Sequence, residues 1–201
     1  MRHFRGIPVA LAIATTHIFA LSAGNSSIGH LDPECPTGLH PGFEVSTFRY
    51  NVPAQNFFDA TGSFFQGEWY SIVNLTTNGV DNTIGATREA NFTGDFFKEE
   101  LVQFYRSSTE LVIAYKLISP PFHFSDPFPD FTAAYTEEYR VMSICAGSAT
   151  FISFVSVICT DKPAVAYDTY YRYHQQVFSG FATQFNASMF DGTCPLSVEA
   201  L

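Results

Sequence analysis

Residues 101–118, LVQFYRSSTELVIAYKLI, decide the fold class, because they predict two strands joined by a tight turn. The turn at 106–110 is rich in serine and threonine, and runs of β-branched and aromatic residues flank it on both sides. An antiparallel pairing across this turn places Tyr105 opposite Leu111 and Leu101 opposite Tyr115. The side chains that this register puts on the inner face are Leu101, Gln103, Tyr105, Leu111, Ile113 and Tyr115.

Similar short runs occur on both sides of this hairpin, at 68–75, 84–93, 134–145, 150–160 and 165–177. A second tight turn is predicted at 146–149, and a helical turn is predicted within 57–65. No window carries a helical apolar stripe, and 22 phenylalanines suit strands that curl around an apolar interior. The pattern predicts an all-β chain with a single antiparallel sheet.

Residues 1–23 have the features of a cleaved signal peptide. Arg2 and Arg5 precede an apolar run at 7–23, and small residues cluster at 20–24. A membrane anchor is the alternative, but Pro8, His17 and two threonines dilute the run. We therefore expect the secretory pathway, with the protein either secreted or retained in a vacuole or vesicle. The expected mature part is 24–201, divided into an arm and lead-in turn (24–66), a barrel (67–178) and a C-terminal segment (179–201).

The charge excludes some partners. The chain has a formal net charge of −9, which becomes −11 when Arg2 and Arg5 leave with the signal peptide. A surface this acidic repels phosphate, so neither nucleic acid nor an anionic membrane is expected as a partner. No later stretch is apolar and long enough to span a bilayer. A homodimer stays an open option.

Four cysteines predict two disulfides in a secreted chain. Because Cys145 and Cys159 lie far apart along the predicted second hairpin, a bridge between them is excluded. Two schemes stay open: Cys35–Cys145 with Cys159–Cys194, or Cys35–Cys159 with Cys145–Cys194. No spacing typical of a metal site surrounds these cysteines, so no metal is expected.

Four Asn-x-Ser/Thr sequons are candidate glycosylation sites in a secreted chain, at Asn25, Asn74, Asn91 and Asn186. A glycan on Asn91 would point outward, so strand alternation turns Arg88, Ala90 and Phe92 inward. A glycan on Asn74 would likewise turn Trp69 inward.

The hexapeptide Gly67-Glu68-Trp69-Tyr70-Ser71-Ile72 resembles the first conserved motif of the lipocalins, Gly-x-Trp-Tyr at the start of a strand. The preceding residues 56–59 and 64–66 are similar to the lipocalin lead-in turn. The resemblance implies a single up-and-down lipocalin-like β-barrel of about eight to ten strands around a cavity for a hydrophobic small molecule. In that picture Trp69 plugs the closed end.

The chain also resembles, in overall style, small secretory-pathway proteins of fungal biosynthetic clusters. These include the hetero-Diels–Alderases that join tropolone quinone methides to the sesquiterpene humulene. That resemblance implies a cofactor-free pericyclase that orients apolar reactants and activates one by hydrogen bonding. The alternative is a non-catalytic carrier of a hydrophobic molecule.

Conventional catalytic motifs are absent from the sequence, which has no Gly-x-Ser-x-Gly and no His-Glu-x-x-His. Glu137 and Glu138 are adjacent and would face opposite sides of a strand, with Tyr139 and Val141 favoured inside. His174 and the other mature histidines are expected at the surface or in loops. The expected catalytic residues are Arg88, Gln103 and Tyr115, and the expected ligand-binding residues are Trp69, Phe92, Tyr105, Ile113, Tyr171 and Tyr173.

The segment 119–131, SPPFHFSDPFPDF, combines four prolines with four phenylalanines. Prolines prevent regular structure, while the phenylalanines make the segment more apolar than an ordinary linker. It is either a fixed loop over one barrel end or a lid over a pocket. The expected lid residues are Phe122, His123, Phe124 and Phe128.

Overall fold

The computed structural model describes residues 35–194, so the expected signal peptide and Asn25 lie outside the described residues. Within this range, eight strands and two α-helices follow one another. Their bounds are β1 (His40–Tyr50), α1 (Ala54–Thr61), β2 (Thr76–Asn78), β3 (Thr87–Phe92), β4 (Asp95–Arg106), β5 (Glu110–Leu117), β6 (Phe122–Phe124), β7 (Phe131–Ile144), β8 (Ala149–Thr160) and α2 (Pro163–Gln184).

The eight strands form one antiparallel sheet in the order β1-β8-β7-β5-β4-β3-β2, with the short β6 paired to β7. The predicted all-β class and its single antiparallel sheet are confirmed. Among residues 35–194, β1 and β2 end the pairing order and do not pair with each other, so the expected closed barrel is an open, curled sheet. Helix α2 packs against the sheet and shields part of its inner face from solvent.

Helix α2 replaces the strand that was expected at 165–177. Pro163 lies in its first turn, where a missing backbone N–H removes no helical hydrogen bond. The side chains that α2 buries lie on one face of the helix, at spacings of three or four residues: Ala166, Thr169, Tyr170, His174, Phe178 and Phe181. The run of aromatic residues suggested a strand, but this segment forms a helix that packs one apolar face against the sheet. The helix also continues through residue 178, where the barrel was expected to end.

Two further segments differ from expectation. The arm expected before residue 66 contains the eleven-residue edge strand β1, which pairs along its whole length with β8. Trp69 does not begin a strand, because Glu68–Tyr70 form one turn of 3₁₀ helix. Gly67 allows that turn, since a Cβ there would come within 3.0 Å of the Ile72 carbonyl oxygen. The helical turn expected within 57–65 corresponds to α1.

The hairpin of β4 and β5 is present, with a different register near its turn. Leu101 faces Tyr115 as predicted, whereas Tyr105 faces Val112 rather than the predicted Leu111. A bulge between Leu101 and Gln103 causes this shift, because one extra residue in β4 moves every later pair by one.

The bulge also changes which side chains of β4 face inward. Glu99 and Leu101 lie inside before the bulge, and Phe104 packs against the core after it. Gln103 is therefore only half-buried, and Tyr105 is 49% exposed instead of facing the interior. Glu99, which the sequence pattern did not single out, becomes a buried charge.

Two disulfides connect Cys35 to Cys159 and Cys145 to Cys194. This is the second of the two pairings that the sequence left open. The hairpin that excluded a Cys145–Cys159 bridge is also present, since β7 and β8 pair directly across the turn between them. One bridge ties the start of the described chain to β8, and the other ties its end to the turn after β7.

Candidate functional site

A cavity opens between the inner face of the sheet, helix α2 and the proline-rich segment. Its lining is mostly aromatic, with two carboxylates among the phenyl rings. The lining residues are Tyr70, Ile72, Phe92, Phe97, Glu99, Phe122, Phe124, Phe128, Tyr135, Glu137, Thr169, Tyr170 and Tyr173. An apolar concave site with a few convergent polar groups is the usual form of a small-molecule site.

The cavity volume is about 50 Å³, and the empty space including the open mouth is about 540 Å³. A buried water needs on the order of 10–15 Å³ of such volume, so the cavity in this conformation holds only a small group. A larger ligand must occupy the mouth or displace the phenylalanines that close it.

Those phenylalanines belong to the proline-rich segment, which is partly fixed by the pairing of β6 with β7. Phe122, Phe124 and Phe128 line the cavity, and Phe124 stacks on Phe131 at 4.4 Å between ring centroids. His123, expected with them in the lid, points outward instead. Its Nε2 lies 3.0 Å from Oδ1 of the exposed Asp130.

Glu99 is one of the two cavity carboxylates, and its charge is compensated from inside the protein. Nε of Arg88 donates to Oε2 of Glu99 at 2.6 Å, and the Tyr135 hydroxyl donates to Oε1 at 2.7 Å. Arg88 also donates to the Phe64 carbonyl and lies over the rings of Phe64 and Tyr115. Burial lowers the pKa of Arg88, whereas the charge and hydrogen bond of Glu99 raise it. The net result is that the pKa of Arg88 lies above its usual value.

Glu137 is the second cavity carboxylate. The Tyr115 hydroxyl donates to its Oε2 at 2.6 Å, and the Ser156 hydroxyl donates to its Oε1 at 2.7 Å. Burial raises the pKa of Glu137 above its usual value, although the nearby His174 and both hydroxyl donors lower it in part. A cavity-lining carboxyl with a pKa raised by burial is a feature of functional sites.

His174 is completely buried on α2, which corrects the expectation of a surface position. Its Nδ1 lies 3.0 Å from Oε2 of Glu44 on β1, and its Nε2 lies 3.0 Å from the Tyr70 hydroxyl. A carboxylate oxygen can only accept, so Nδ1 carries the hydrogen and donates to Glu44. In the neutral ring, Nε2 then accepts from the Tyr70 hydroxyl.

Tyr70 is held over the cavity by several contacts. The Tyr173 hydroxyl donates to the Tyr70 backbone carbonyl at 2.7 Å, and the Tyr70 ring stacks on Phe154. Burial raises the pKa of the Tyr70 hydroxyl well above its usual value, and the nearby Glu137 raises it further. The hydroxyl therefore stays protonated at neutral pH.

Tyr170 differs from the other cavity tyrosines. It is 6% exposed, and its hydroxyl finds no hydrogen-bond partner within the described part of the chain. Burial raises the pKa of Tyr170 well above its usual value, so the hydroxyl remains a donor. A buried polar group without a partner is uncommon and is costly to leave unmatched.

The three expected catalytic residues do not line the cavity. Arg88 is buried and points inward as the strand alternation predicts. Glu99 and Phe64 accept from its Nε and Nη1, and its buried Nη2 has no partner among the described residues. Tyr115 is buried and bound to Glu137. Gln103 lies beyond the bulge of β4 and outside the cavity.

Only part of the expected ligand-binding set meets at the cavity. Phe92 and Tyr173 line it. Ile113 is buried in the main core, and Trp69 packs against Tyr139 near the cavity without lining it. Tyr171 is 49% exposed on the outer face of α2 because it follows Tyr170 on a helix, and Tyr105 is turned out by the bulge.

The sequons within the described residues are accessible, since Asn74, Asn91 and Asn186 are all exposed. Ala90 is buried and Asn91 is not, as the two-residue period of β3 predicts. The described residues contain no helix long and apolar enough to cross a membrane. They also contain no cluster of histidine, cysteine or acidic side chains able to hold a metal ion.

Sequence reasoning did not identify Glu44, Glu99, Tyr135 or Tyr170, and it placed His174 at the surface or in a loop. The signal for His174 is its spacing of four residues from Tyr170, a helical spacing that strand-like composition concealed. Glu137 could have been found from Tyr139, because the alternation that turns Tyr139 inward also turns Glu137 inward.

Comparison with known proteins leaves the family open: no protein-family model and no curated protein matches the chain. A protein from Nitrosospira multiformis is similar in structure, with a TM-score of 0.50 and 17% identity over 73% of this chain and 96% of that chain. A hypothetical protein from Helicobacter pylori has a TM-score of 0.52 and 14% identity over 71% of this chain and 87% of that chain.

Norcoclaurine synthase from Thalictrum flavum, in complex with dopamine and hydroxybenzaldehyde, is similar at 10% identity over 73% of this chain and 89% of that chain. Its TM-score of 0.47 is too low to argue from. The two better matches concern the fold alone. Neither a lipocalin family nor a Diels–Alderase family is shown by these comparisons.

Proposed function

We propose that this protein binds an apolar small molecule that carries an oxygen acceptor, with the aromatic cavity as the binding site. The observation that carries this proposal is Tyr170, which lines the cavity and whose buried hydroxyl has no partner among the described residues. A ligand carbonyl or ether oxygen would accept that hydrogen bond. Binding would thereby remove the cost of an unmatched polar group.

The charges around the cavity support an uncharged ligand. Glu99 is paired with Arg88, and Glu137 already accepts from Tyr115 and Ser156. Glu99 therefore already has its cation, and burial raises the pKa of Glu137 and so favours its neutral form, while the surrounding rings offer apolar surface. An uncharged molecule with one or two oxygens suits this lining best.

Ligand entry would involve the proline-rich segment, because the closed cavity of about 50 Å³ is smaller than a terpenoid-sized molecule needs. Phe128 is the lining residue of this segment that lies outside β6, between the strands β6 and β7. An outward movement of Phe128 would enlarge the cavity without breaking the β6–β7 pairing.

Binding can be measured through the single tryptophan, since the Trp69 ring lies 5.2 Å from that of Tyr70, which lines the cavity. The probes are a cyclic terpenoid ketone and the matched hydrocarbon. We expect the ketone to bind about five times more tightly, corresponding to one hydrogen bond of about 1 kcal/mol. Tyr170→Phe should remove this preference, and the exposed Tyr171→Phe should keep it. Failure of both probes to bind would overturn the proposal.

A second candidate function is a cofactor-free hetero-Diels–Alder activity, and the free Tyr170 donor favours it. A donor that remains protonated can withdraw electrons from a carbonyl as it reacts, which lowers the barrier by a few kcal/mol. Holding two reactants in contact can contribute about 7–11 kcal/mol more. The reactants would be a humulene-type alkene and a tropolone quinone methide, and both would need the cavity with its phenylalanines displaced.

The test of this activity is turnover of those two reactants by the purified protein. We expect adduct formation faster and more selective than in buffer, with Tyr170→Phe losing about 100-fold. Tyr171→Phe should retain the wild-type rate. If the wild-type protein binds the terpenoid without accelerating the reaction, the protein is a carrier instead.

We also propose that the protein passes through the secretory pathway and carries N-linked glycans. Two disulfides and three exposed sequons support this location. Expression in a secreting yeast should yield protein in the medium that begins near residue 24 and loses mass on endoglycosidase treatment. An unprocessed and unglycosylated product would overturn this proposal.

A further inference from the structure

A continuous chain of hydrogen bonds leads from the edge strand β1 to the cavity. Ser46 donates to Oε1 of Glu44, and Oε2 of Glu44 accepts from Nδ1 of His174. Nε2 of His174 accepts from the hydroxyl of Tyr70, which lines the cavity. We call Glu44, His174 and Tyr70 the buried relay. Three separate elements supply its members: β1, the 3₁₀ turn and α2.

The relay has a defined proton arrangement. Glu44 can only accept, so it fixes the hydrogen of the neutral His174 ring on Nδ1 and leaves Nε2 as an acceptor. Tyr70 thereby directs its own hydrogen toward His174. The oxygen of Tyr70 keeps acceptor capacity for a molecule bound in the cavity.

Burial makes this arrangement distinctive. His174 is fully buried, Glu44 is 7% exposed, and the His174 ring stacks on Phe154 at 4.1 Å between ring centroids. A histidine–carboxylate pair away from solvent is costly to maintain unless its members are fully hydrogen-bonded. Here both ring nitrogens and both carboxylate oxygens have partners.

We propose that the buried relay makes Tyr70 a general base for a ligand that carries a phenol or enol hydroxyl. This inference rests on the proposed binding of a small molecule in the cavity. The ligand O–H bond breaks, and its proton forms a new bond to the Tyr70 oxygen. The original Tyr70 proton moves to Nε2 of His174. The products are a ligand anion and an imidazolium ion that Glu44 stabilises at Nδ1.

The cavity contains a group that can receive the resulting anion. The unpartnered Tyr170 hydroxyl lies on the same helix as His174 and lines the same cavity. It can donate to the ligand oxygen once that oxygen becomes negative. The cavity therefore offers one acceptor and one donor to a single hydroxyl-bearing ligand. Tyr70 and Tyr170 touch the ligand, while His174 and Glu44 act through Tyr70 as positioning residues.

Other groups also face His174 and must enter any interpretation of a pH profile. Oε1 of Glu137 on β7 lies 3.9 Å from Nε2, so this carboxyl is a second acidic group beside the ring. The Tyr170 ring packs edge-on against His174, and Ser46 approaches Nδ1 at 3.3 Å. The acidic groups that lie within 4.0 Å of the ring nitrogens in the described part of the chain are those of Glu44 and Glu137.

The experiment uses 4-nitrophenol as the probe, because its absorption distinguishes phenol from phenolate when it is bound. Wild-type protein, Tyr70→Phe, His174→Gln and Glu44→Gln are titrated with pH at saturating protein. Tyr171→Phe is the matched control, since it removes an exposed hydroxyl from the same helix. Circular dichroism and thermal unfolding of each variant establish that it is folded.

We expect the ionisation midpoint of bound nitrophenol to fall by about one pH unit below that of the free probe in wild-type protein and in Tyr171→Phe. In Tyr70→Phe the midpoint should rise above the free value, because a buried anion then lacks the relay. His174→Gln should behave like Tyr70→Phe, and Glu44→Gln should give an intermediate shift. The Tyr70→Phe result decides the case if His174→Gln does not fold.

Two outcomes would overturn the inference in different ways. Wild-type protein that binds nitrophenol but keeps it protonated, or a Tyr70→Phe variant with the wild-type shift, would leave binding intact and exclude the relay. Wild-type protein that does not bind nitrophenol, although it binds the terpenoid ketone, would exclude a phenol as the relay substrate and overturn the inference alone. Failure to bind either molecule would overturn the proposed function as well.

Discussion

Nε of Arg88 lies 2.6 Å from Oε2 of Glu99, and both side chains are almost completely buried. The pair joins the adjacent strands β3 and β4, where Arg88 and Glu99 lie opposite each other, and Glu99 also lines the cavity. Breaking such a pair leaves a buried charge without a partner, which costs more than the pair itself contributes.

Arg88→Met should lower the free energy of unfolding by about 3–5 kcal/mol, because Glu99 is then left buried without its cation. Lys98→Met is the matched control, since Lys98 joins the same two strands through a half-exposed pair with Glu89. That control should cost less than about 1 kcal/mol. Chemical denaturation at neutral pH measures both, and equal losses would contradict the prediction.

Tyr170→Phe should raise the free energy of unfolding of the ligand-free protein by about 1 kcal/mol, because it removes a buried hydroxyl that has no partner. Tyr135→Phe provides the comparison, since its hydroxyl donates to Glu99 and its loss should destabilise by a similar or larger amount. Urea unfolding of both variants checks the prediction. Two destabilised variants would indicate that the Tyr170 hydroxyl has a partner.

Glu137 should make stability fall as pH rises. Burial raises its native pKa above the usual value of 4.5, so above pH 4.5 the folded protein binds a proton that the unfolded chain releases. The free energy of unfolding should decrease, at no more than about 1.4 kcal/mol per pH unit, until pH passes the native pKa.

Glu137→Gln should remove this contribution, so its stability relative to wild type should improve as pH rises from 4.5. Denaturation at a series of pH values measures the difference. Glu100→Gln serves as the control, because Glu100 faces outward and pairs with Lys116. A difference between Glu137→Gln and wild type that is constant with pH would contradict the assignment.

The two disulfides should differ in their contributions. Cys35–Cys159 spans 124 residues and Cys145–Cys194 spans 49, so the first restricts the unfolded chain more. Chain entropy predicts losses of about 5 and about 4 kcal/mol when each pair is replaced by serine. Denaturation of the two double-serine variants should show this order, and the reverse order would contradict it.

The strand alternation in the sequence was sufficient to orient β3, because Ala90 and Asn91 have unambiguous preferences for the inside and the outside. It was not sufficient for β4, where a single extra residue after Leu101 moves each later side chain of the strand to the opposite face of the sheet. Nothing in the composition near Gln103 marks that bulge. Tyr105 was therefore assigned to the wrong face.

The candidate site was harder to predict than the sheet, because its members come from distant parts of the chain. Glu44 and His174 are 130 residues apart and meet only because α2 packs on β1. The aromatic composition of 165–177 suits a strand, and only the spacing of Tyr170, His174 and Phe178 indicates a helix. Once that helix is recognised, the buried position of His174 follows directly.

Helix α2 supplies Thr169, Tyr170 and Tyr173 to the cavity wall and His174 to the relay, all within less than two turns. The sheet opposite these residues is fixed by its strand pairing and by two disulfides. Substitution of Thr169 alone would therefore change the shape of the cavity wall, with the sheet as an unchanged scaffold. A set of variants at this one position would vary the cavity while retaining Tyr70, Tyr170 and the Tyr173 hydroxyl that holds Tyr70.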